Sequence, residues 1–510
     1  MTRRWPALLA IPALIVVALL ADQGTGDAAR DEASARAEAN SARRRMMPTA
    51  AGDDALTSTW YCAGGTAEED GAANQTVVVY NPTDRPTTGS ITAYPSKGKP
   101  ETVRKEVPAR GQVRVELVEL VSAPYASALV EFRGGEIVVE HVVRGPYGVD
   151  AGPCASSASD EWHFAAGATT LDASDVLVLF NPFPEPATVD IALALDGGLR
   201  RTPGSLRGLQ VPARSVVAAP VTVDPQPQVS ATVVARAGRI IADRIQTYSG
   251  RGAGNTEEEV EAEAFKPKGL AVTLGVPTPA HTWMFPFGGK AEGLHERFVV
   301  YNPGDDQAEV EVAVALSDPG KNGEVDPFAV TVNPRSWAVV DLDEEDRIPT
   351  QVDHAAVVTS RNDVPIVAER VLFTTEPLDS SDVAISPGSP LVSDRWIFAA
   401  GGTVAGELAE WIAVANPGSS PVEVQLGAIV DGQVRALGTE ATFTLRAREH
   451  RQIRLNELVT AERMAVQVFG DRPLAAERVL LQPGGARTST AVGVPAGDGE
   501  LHLAPPSAAR

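Results

Sequence analysis

The sequence predicts an all-β chain: four tandem immunoglobulin-like antiparallel β-sandwich repeats after one N-terminal transmembrane or signal helix. Three observations carry this expectation. Three short landmarks recur four times in the same order. Alternating apolar runs, broken by Gly and Pro, fill the space between them. An uncharged apolar run preceded by arginines opens the chain.

Arg3 and Arg4 precede the uncharged run from Trp5 to Ala21. As a helix this run is about 25 Å long, short of the ~30 Å hydrocarbon core but able to span it with local thinning. The arginines favour the cytoplasmic side, which sends the rest of the chain outside. Residues 1–21 therefore read as a membrane anchor, with a cleaved signal peptide as the rival. Leu19-Leu20-Ala21 places a large residue where a cleavage site wants a small one. Residues 22–55 are rich in Ala, Asp, Glu and Arg, lack hydrophobic periodicity and read as a low-complexity spacer.

The first landmark is an aromatic opening: Trp60-Tyr61-Cys62, Trp162-His163-Phe164, Trp283-Met284-Phe285 and Trp396-Ile397-Phe398, each followed by a small, Gly-containing stretch. Residues two apart on a strand share a face, so Trp and the residue two positions on point together into a core. The second is an apolar run ending at Asn81-Pro82, Asn181-Pro182, Asn302-Pro303 and Asn416-Pro417. Proline cannot donate to a ladder, and Asn before it starts a turn. The third is an acid, a base and an apolar residue: Glu140-His141-Val142, Asp243-Arg244-Ile245, Glu369-Arg370-Val371 and Glu477-Arg478-Val479.

The four tryptophans are 102, 121 and 113 residues apart, too long a period for propeller blades or solenoid units. Six or seven short strands per copy fit separate antiparallel sandwiches in a row. The boundaries read as 56–160, 161–280, 281–393 and 394–498, with 499–510 a disordered Pro/Ala-rich tail. The second copy carries an acidic insert, Gly252 to Lys268, which reads as a solvated loop.

Cys62 and Cys154 are the only cysteines, and an exported chain can oxidise them. A bridge would tie the first strand of the first copy to its exit, with about 4–5 kcal/mol of chain-entropy stabilisation. His163 reads as a variable rim residue. The acid and base of the third landmark are strand neighbours and point to opposite faces, so they cannot make one compact site. A half-buried Arg244, Arg370 or Arg478 needs a partner: an asparagine of the Asn-Pro turns, a carbonyl or a Trp face. The tryptophans, the four asparagines and these arginines are thus structural anchors of the repeat.

Lys plus Arg number 44 against 66 Asp plus Glu, a formal charge of −22, which argues against nucleic acid as a partner. No serine nucleophile elbow, phosphate loop, dinucleotide fingerprint or metal-type His or Cys spacing occurs. No catalytic, cofactor-binding or metal-binding residue is therefore assigned.

Trp-x-Phe-Ala-x-Gly, then apolar-Asn-Pro, then Val-Ala-Glu-Arg (Val367 to Arg370), resembles a module of bacterial secreted proteins of the form FAEGST…NP…IVAER. With its N-terminal anchor, the chain resembles actinobacterial proteins of the DUF5719 family over residues 56–495, departing from the pattern at Cys62, His141 and Asp243. The resemblance implies export, β-sandwich repeats and an envelope setting, and no catalytic residues. The expectation is a non-enzymatic, membrane-anchored envelope protein with its C-terminal part extracellular, or secreted if the segment is cleaved. Its partners would be wall polysaccharide or another envelope protein, and the membrane through residues 5–21. The alternatives are a cell-wall glycan-processing enzyme and a spacer subunit of an envelope assembly.

Overall fold

The computed structural model describes residues 38–198, 200–252, 266–375, 382–404, 408–481 and 488–507. The anchor at 1–21, most of the spacer and the acids Glu257, Glu258 and Glu259 of the insert lie outside the described residues. The chain is all-β, 58 % strand and 5 % helix. Arg45–Arg510 form one compact unit.

Each copy builds two antiparallel sheets. In repeat 1 one sheet has the order Thr57–Cys62, Ala126–Arg133, Thr87–Pro95, Glu101–Val107. The other has the order Gln112–Glu116, Asn74–Tyr80, Val138–Gly145, Gly148–Pro153. Apolar residues alternate inward along these strands, as in Ile91 and Ala93 or Val77 and Val79. The exposed edge strand Glu101–Val107 carries Arg104, Lys105 and Glu106, charges that discourage pairing with another chain. In repeat 4 one long strand, Ala461–Leu481, serves both sheets.

The four aromatic openings occupy equivalent places. Trp60, Trp162, Trp283 and Trp396 are each 0–1 % exposed and pair across the ladder with Val130, Val233, Val358 and Val468. Their indole N–H groups donate to the carbonyls of Ile137, Ile240, Ile366 and Leu474 at 2.9–3.0 Å. A buried indole needs such a partner. The asparagines are equally alike. Asn81, Asn181, Asn302 and Asn416 donate to the carbonyls of Arg85, Glu185, Asp306 and Ser420 at 2.7–2.9 Å. Each also donates to Pro108, Pro212, Asn333 or Arg446 at 2.8–3.2 Å, pinning a second turn.

The copies do not form a row. The last strand of each second sheet, Gly148–Pro153, Lys268–Leu274, Asp382–Pro387 and Thr488–Val492, faces inward and packs against two of the other three. Repeat 4 thereby meets repeat 1 and the four copies close a ring. Val272 donates to Asp150 at 2.7 Å, Thr273 to the Ile385 carbonyl at 3.1 Å, Thr490 to Ser386 at 2.7 Å and Ser489 to the Ala151 carbonyl at 3.0 Å. Each copy uses one face on its predecessor and a different face on its successor; such head-to-tail contacts make a ring when the rotation closes. Closure also shelters the inner sheet edges.

Three further expectations change. The end of the spacer is not solvated: Met47 is 8 % and Ala50 1 % exposed, and Met46, Met47 and Pro48 cap a small apolar cavity on the ring axis beside Ala151, Val272 and Ala491. The tail does not simply fray, since Leu501–Leu503 pairs with Leu391–Ser393. That pairing extends the first strand of repeat 4 over Leu391–Thr403, so the boundary at 393 falls inside a strand.

Candidate functional site

The polar residues of the ring gather at the junctions between copies. The acid of each third landmark points out of its own copy and reaches the Gly-containing stretch of the preceding one. Glu140 accepts the N–H of Ala400 at 2.7 Å, Glu369 that of Ala166 at 2.6 Å, Glu477 that of Phe287 at 3.1 Å and Asp243 that of Gly64 at 2.5 Å. The base points into its own sandwich and its guanidinium meets the acid of the following copy. Arg478 reaches Glu140 at 2.7 Å, Arg244 reaches Glu369 at 3.5 Å, and Arg370 pairs with Glu477. Strand neighbours do point apart, and ring closure is what reunites an acid with a base. Of the partners expected for the arginines, a carbonyl is found, since Arg370 donates to that of Phe287 and Arg478 to that of Ala151 at 3.3 Å, while carboxylates of the next copy take the place of turn asparagines and Trp faces.

Each arginine also faces the Phe of its own aromatic opening. Arg244 lies 4.8 Å from the Phe164 ring centre, and Arg370 and Arg478 lie 5.7 Å from those of Phe285 and Phe398. A second acid from the same copy supports it: Asp175 lies 3.6 Å from Arg244 and Glu296 3.7 Å from Arg370. Glu410 takes this place in repeat 4; it accepts the Gly402 N–H at 2.8 Å, and burial pushes its carboxyl up to about 7.

Repeat 1 departs as a set. His141 replaces the arginine, Gln75 the supporting acid and Cys62 the phenylalanine. Gln75 donates to His141 Nδ1 at 2.7 Å, and burial lowers the imidazole to about 4, so it is neutral. Cys62 is bonded to Cys154. Cys154 holds the place of Gly275, Gly388 and Gly493; all four N–H groups bond the equivalent carbonyl, Val139, Ala242, Ala368 or Ala476. A Cβ at Gly275, Gly388 or Gly493 would lie 2.7–2.8 Å from the ring tip of Phe164, Phe285 or Phe398. Three copies thus pair Phe with Gly where the first pairs two cysteines. With His141 where the other copies have arginine, no described residue gives Asp243 a cation across the first junction, and burial pushes its carboxyl up to about 7.

The junction of repeats 4 and 1, the seam of the ring, differs again. Two adjoining cavities of about 330 Å³ and 410 Å³ open there and share Arg114 and Arg463. Arg144 and Glu462 line the first, and Tyr80 and Gln433 the second. By register against the Asn-Pro strand, Arg114 stands where the other copies have Ala218, Val339 and Gln452. Arg144 stands where they have Thr247, Phe373 and Leu481. Burial, and then the charges of Arg463 and Arg144, lower Arg114 to about 10. Among the described residues, no group of three or more His, Cys, Asp or Glu side chains is placed to hold a metal ion.

The match to known proteins begins at the third landmark of repeat 1. The family model described as "Family of unknown function (DUF5719)" matches residues 140–409, more than half of the chain. The chain belongs to this family. The DUF5719 match starts at Glu140 of the seam, runs through repeats 2 and 3 and ends after the aromatic opening of repeat 4. No curated protein matches. Among solved structures, one titled "Crystal Structure of Thermotoga maritima 1070" is 21 % identical, covering 22 % of this chain and 95 % of its own, with a TM-score of 0.19. The Anabaena sensory rhodopsin transducer is 30 % identical over 18 % of this chain and 80 % of its own, with a TM-score of 0.16.

Of the residues singled out in the sequence, the arginines come together with acids across the junctions, the cysteines with each other, and the Trp and Asn sets stay within their copies. His163 is not a rim residue: it is 1 % exposed at the junction of repeats 2 and 3, 3.1 Å from Thr232, which in turn bonds Tyr301. The supporting acids, the seam arginines and the packing of the glycines against Phe escaped sequence reading. A shared Gly-x-Pro pattern, Gly275-Val276-Pro277, Gly388-Ser389-Pro390 and Gly493-Val494-Pro495, marks the glycines in the sequence.

Proposed function

We propose that this DUF5719 protein is a non-enzymatic, exported envelope protein. Residues 5–21 fix it to the membrane, and its four immunoglobulin-like sandwiches form a rigid platform that binds or scaffolds a component of the cell wall. The observation that carries the reading is the closed ring. Its junction acids and bases are buried and bonded to one another or to backbone N–H groups, an arrangement suited to holding shape. A hydrolase needs two carboxylates open to substrate on either side of a cleft. Here carboxyls that burial raises strongly, Asp382, Asp243 and Glu410, are 0 %, 2 % and 0 % exposed. The Cys62–Cys154 bond supports an oxidising compartment.

Cell fractionation with protease shaving of intact cells tests this. The expected result is a membrane-bound chain whose body is cut from outside. A chain found in the cytosol, with free thiols at Cys62 and Cys154, overturns it.

A further inference from the structure

Repeats 1, 2, 3 and 4 follow one another in sequence, so the seam between repeats 4 and 1 is the junction without a covalent link. The segment that leads into repeat 1 crosses it as a belt. Met47 belongs to the apolar core of repeat 4 with Leu391 and Trp396, and Met46 lies against the cores of repeats 3 and 4. The Ala50 N–H donates to the Pro495 carbonyl of repeat 4 at 3.0 Å. The Thr49 N–H donates to the Ser156 hydroxyl of repeat 1 at 3.0 Å, and the Ala51 carbonyl accepts the Glu136 N–H at 2.9 Å. Beneath the belt lies the apolar cavity on the ring axis, about 60 Å³, to which inner strands of all four copies contribute. Two of the five methionines in the chain thus seat one short segment. Met46 is half-buried, whereas Met284 and Met464 are 2 % and 0 % exposed. A thioether fills apolar space, but its sulfoxide is polar and needs a donor. The Ser389 hydroxyl lies 3.7 Å from the Met47 sulfur and 2.6 Å from the Leu391 carbonyl, and the shorter contact takes its single proton. That hydroxyl therefore has nothing to give a sulfoxide oxygen on Met47, and a buried polar group without a partner is costly.

We infer that Met46 and Met47 are a modification site and form an oxidation-sensitive latch: a peroxide converts their thioethers to sulfoxides, and the belt leaves the seam. In each step an S–O bond forms and the O–O bond of the peroxide breaks. The sulfur gives up two electrons, the peroxide takes them, and with hydrogen peroxide water is the other product. Met46, the more exposed of the two, reacts first, and its departure opens Met47. The latch depends on the contacts of the belt and not on the compartment, so it can fail without the platform reading failing.

The test treats the full chain with graded hydrogen peroxide and follows each methionine by peptide mass. Met46 and Met47 should gain oxygen about tenfold faster than Met284 and Met464. Deuterium exchange at the Thr49 and Ala50 N–H groups should then quicken by about tenfold or more, and methionine sulfoxide reductases should restore the slow rate. Met46→Leu combined with Met47→Leu keeps the apolar fill, so its exchange should stay slow at the same peroxide dose. Oxidation of Met46 and Met47 no faster than that of Met284 and Met464 overturns the latch. So does sulfoxide formation that leaves exchange at Thr49 and Ala50 unchanged, or an equal rise in exchange in the leucine variant.

Discussion

Cys62 bonds Cys154 at the place where, in the other three copies, a phenyl ring lies against a glycine. The two solutions fill the same space between the opening strand and the exit of a sandwich, one by a covalent bond and one by burying an aromatic ring. They also explain why His141 and Gln75 accompany the cysteines: without a ring to stack on, a buried guanidinium loses one of its supports, and its supporting acid would be left without a cation.

The exchange predicts a compensated double substitution. Cys62→Phe alone should clash with Cys154, and Cys154→Gly alone should lose the bond, each costing about 3–5 kcal/mol. Cys62→Phe with Cys154→Gly should recover part of that loss. Denaturant unfolding of the three variants, under oxidising conditions, reads the coupling; purely additive losses would refute the equivalence.

The reverse holds in repeat 2. Gly275→Ala places a methyl 2.7 Å from the tip of Phe164 and should destabilise by about 1–3 kcal/mol. Adding Phe164→Leu should relieve most of the clash. Thermal melts of the single and double variants decide between crowding and a backbone effect, since relief by the second change occurs only in the first case.

The ring-closing pair can be dissected in the same way. Arg478→Met leaves Glu140 buried with only the Ala400 N–H, and should cost about 3–5 kcal/mol. Combining it with Glu140→Gln, which keeps an acceptor for that N–H, should return most of the loss. If Glu140→Gln makes the Arg478→Met variant worse, the pair is not the link that the geometry describes.

Asp243 gives the first junction a pH dependence of definite sign. Burial raises its carboxyl from 3.8 to about 7. A group whose titration point rises on folding lends stability in full below about pH 4 and loses it as pH climbs through 7. The shift corresponds to about 4 kcal/mol. His141 works the other way: its imidazole, lowered to about 4, withdraws stability as pH falls from 6.5. Asp243→Asn keeps an acceptor for Gly64 and should flatten the decline between pH 5 and pH 8 while leaving the acid side unchanged. Calorimetric melts of both proteins across that range check it; parallel curves count against the assignment.

Much of the fold was legible because its signals are local. Trp-x-Phe, Asn-Pro and the acid-base dipeptide each report a strand or turn within a few residues, and recurrence at intervals above 100 residues separates the copies. Closure was not legible. Glu140 and Arg478 are 338 residues apart, and nothing in either strand says that they meet. Periodicity places Glu369 and Arg370 on opposite faces, correctly, but the face opposite the sandwich interior lies, in a ring, against the preceding copy. The seam arginines were hidden for a related reason: Arg114 is one charged residue on an alternating strand until the register shows it in the place of Ala218, Val339 and Gln452.

The end of repeat 4 meets the segment that leads into repeat 1: the Ala50 N–H donates to the Pro495 carbonyl at 3.0 Å. Where the polypeptide is cut is therefore incidental to the architecture. A circularly permuted gene, with ends between repeats 2 and 3 and a short link from the old tail to the old start, should yield the same body. The number of modules, by contrast, is not free to drift as it is in open arrays, because a fifth would have no angular room and three alone would leave a gap.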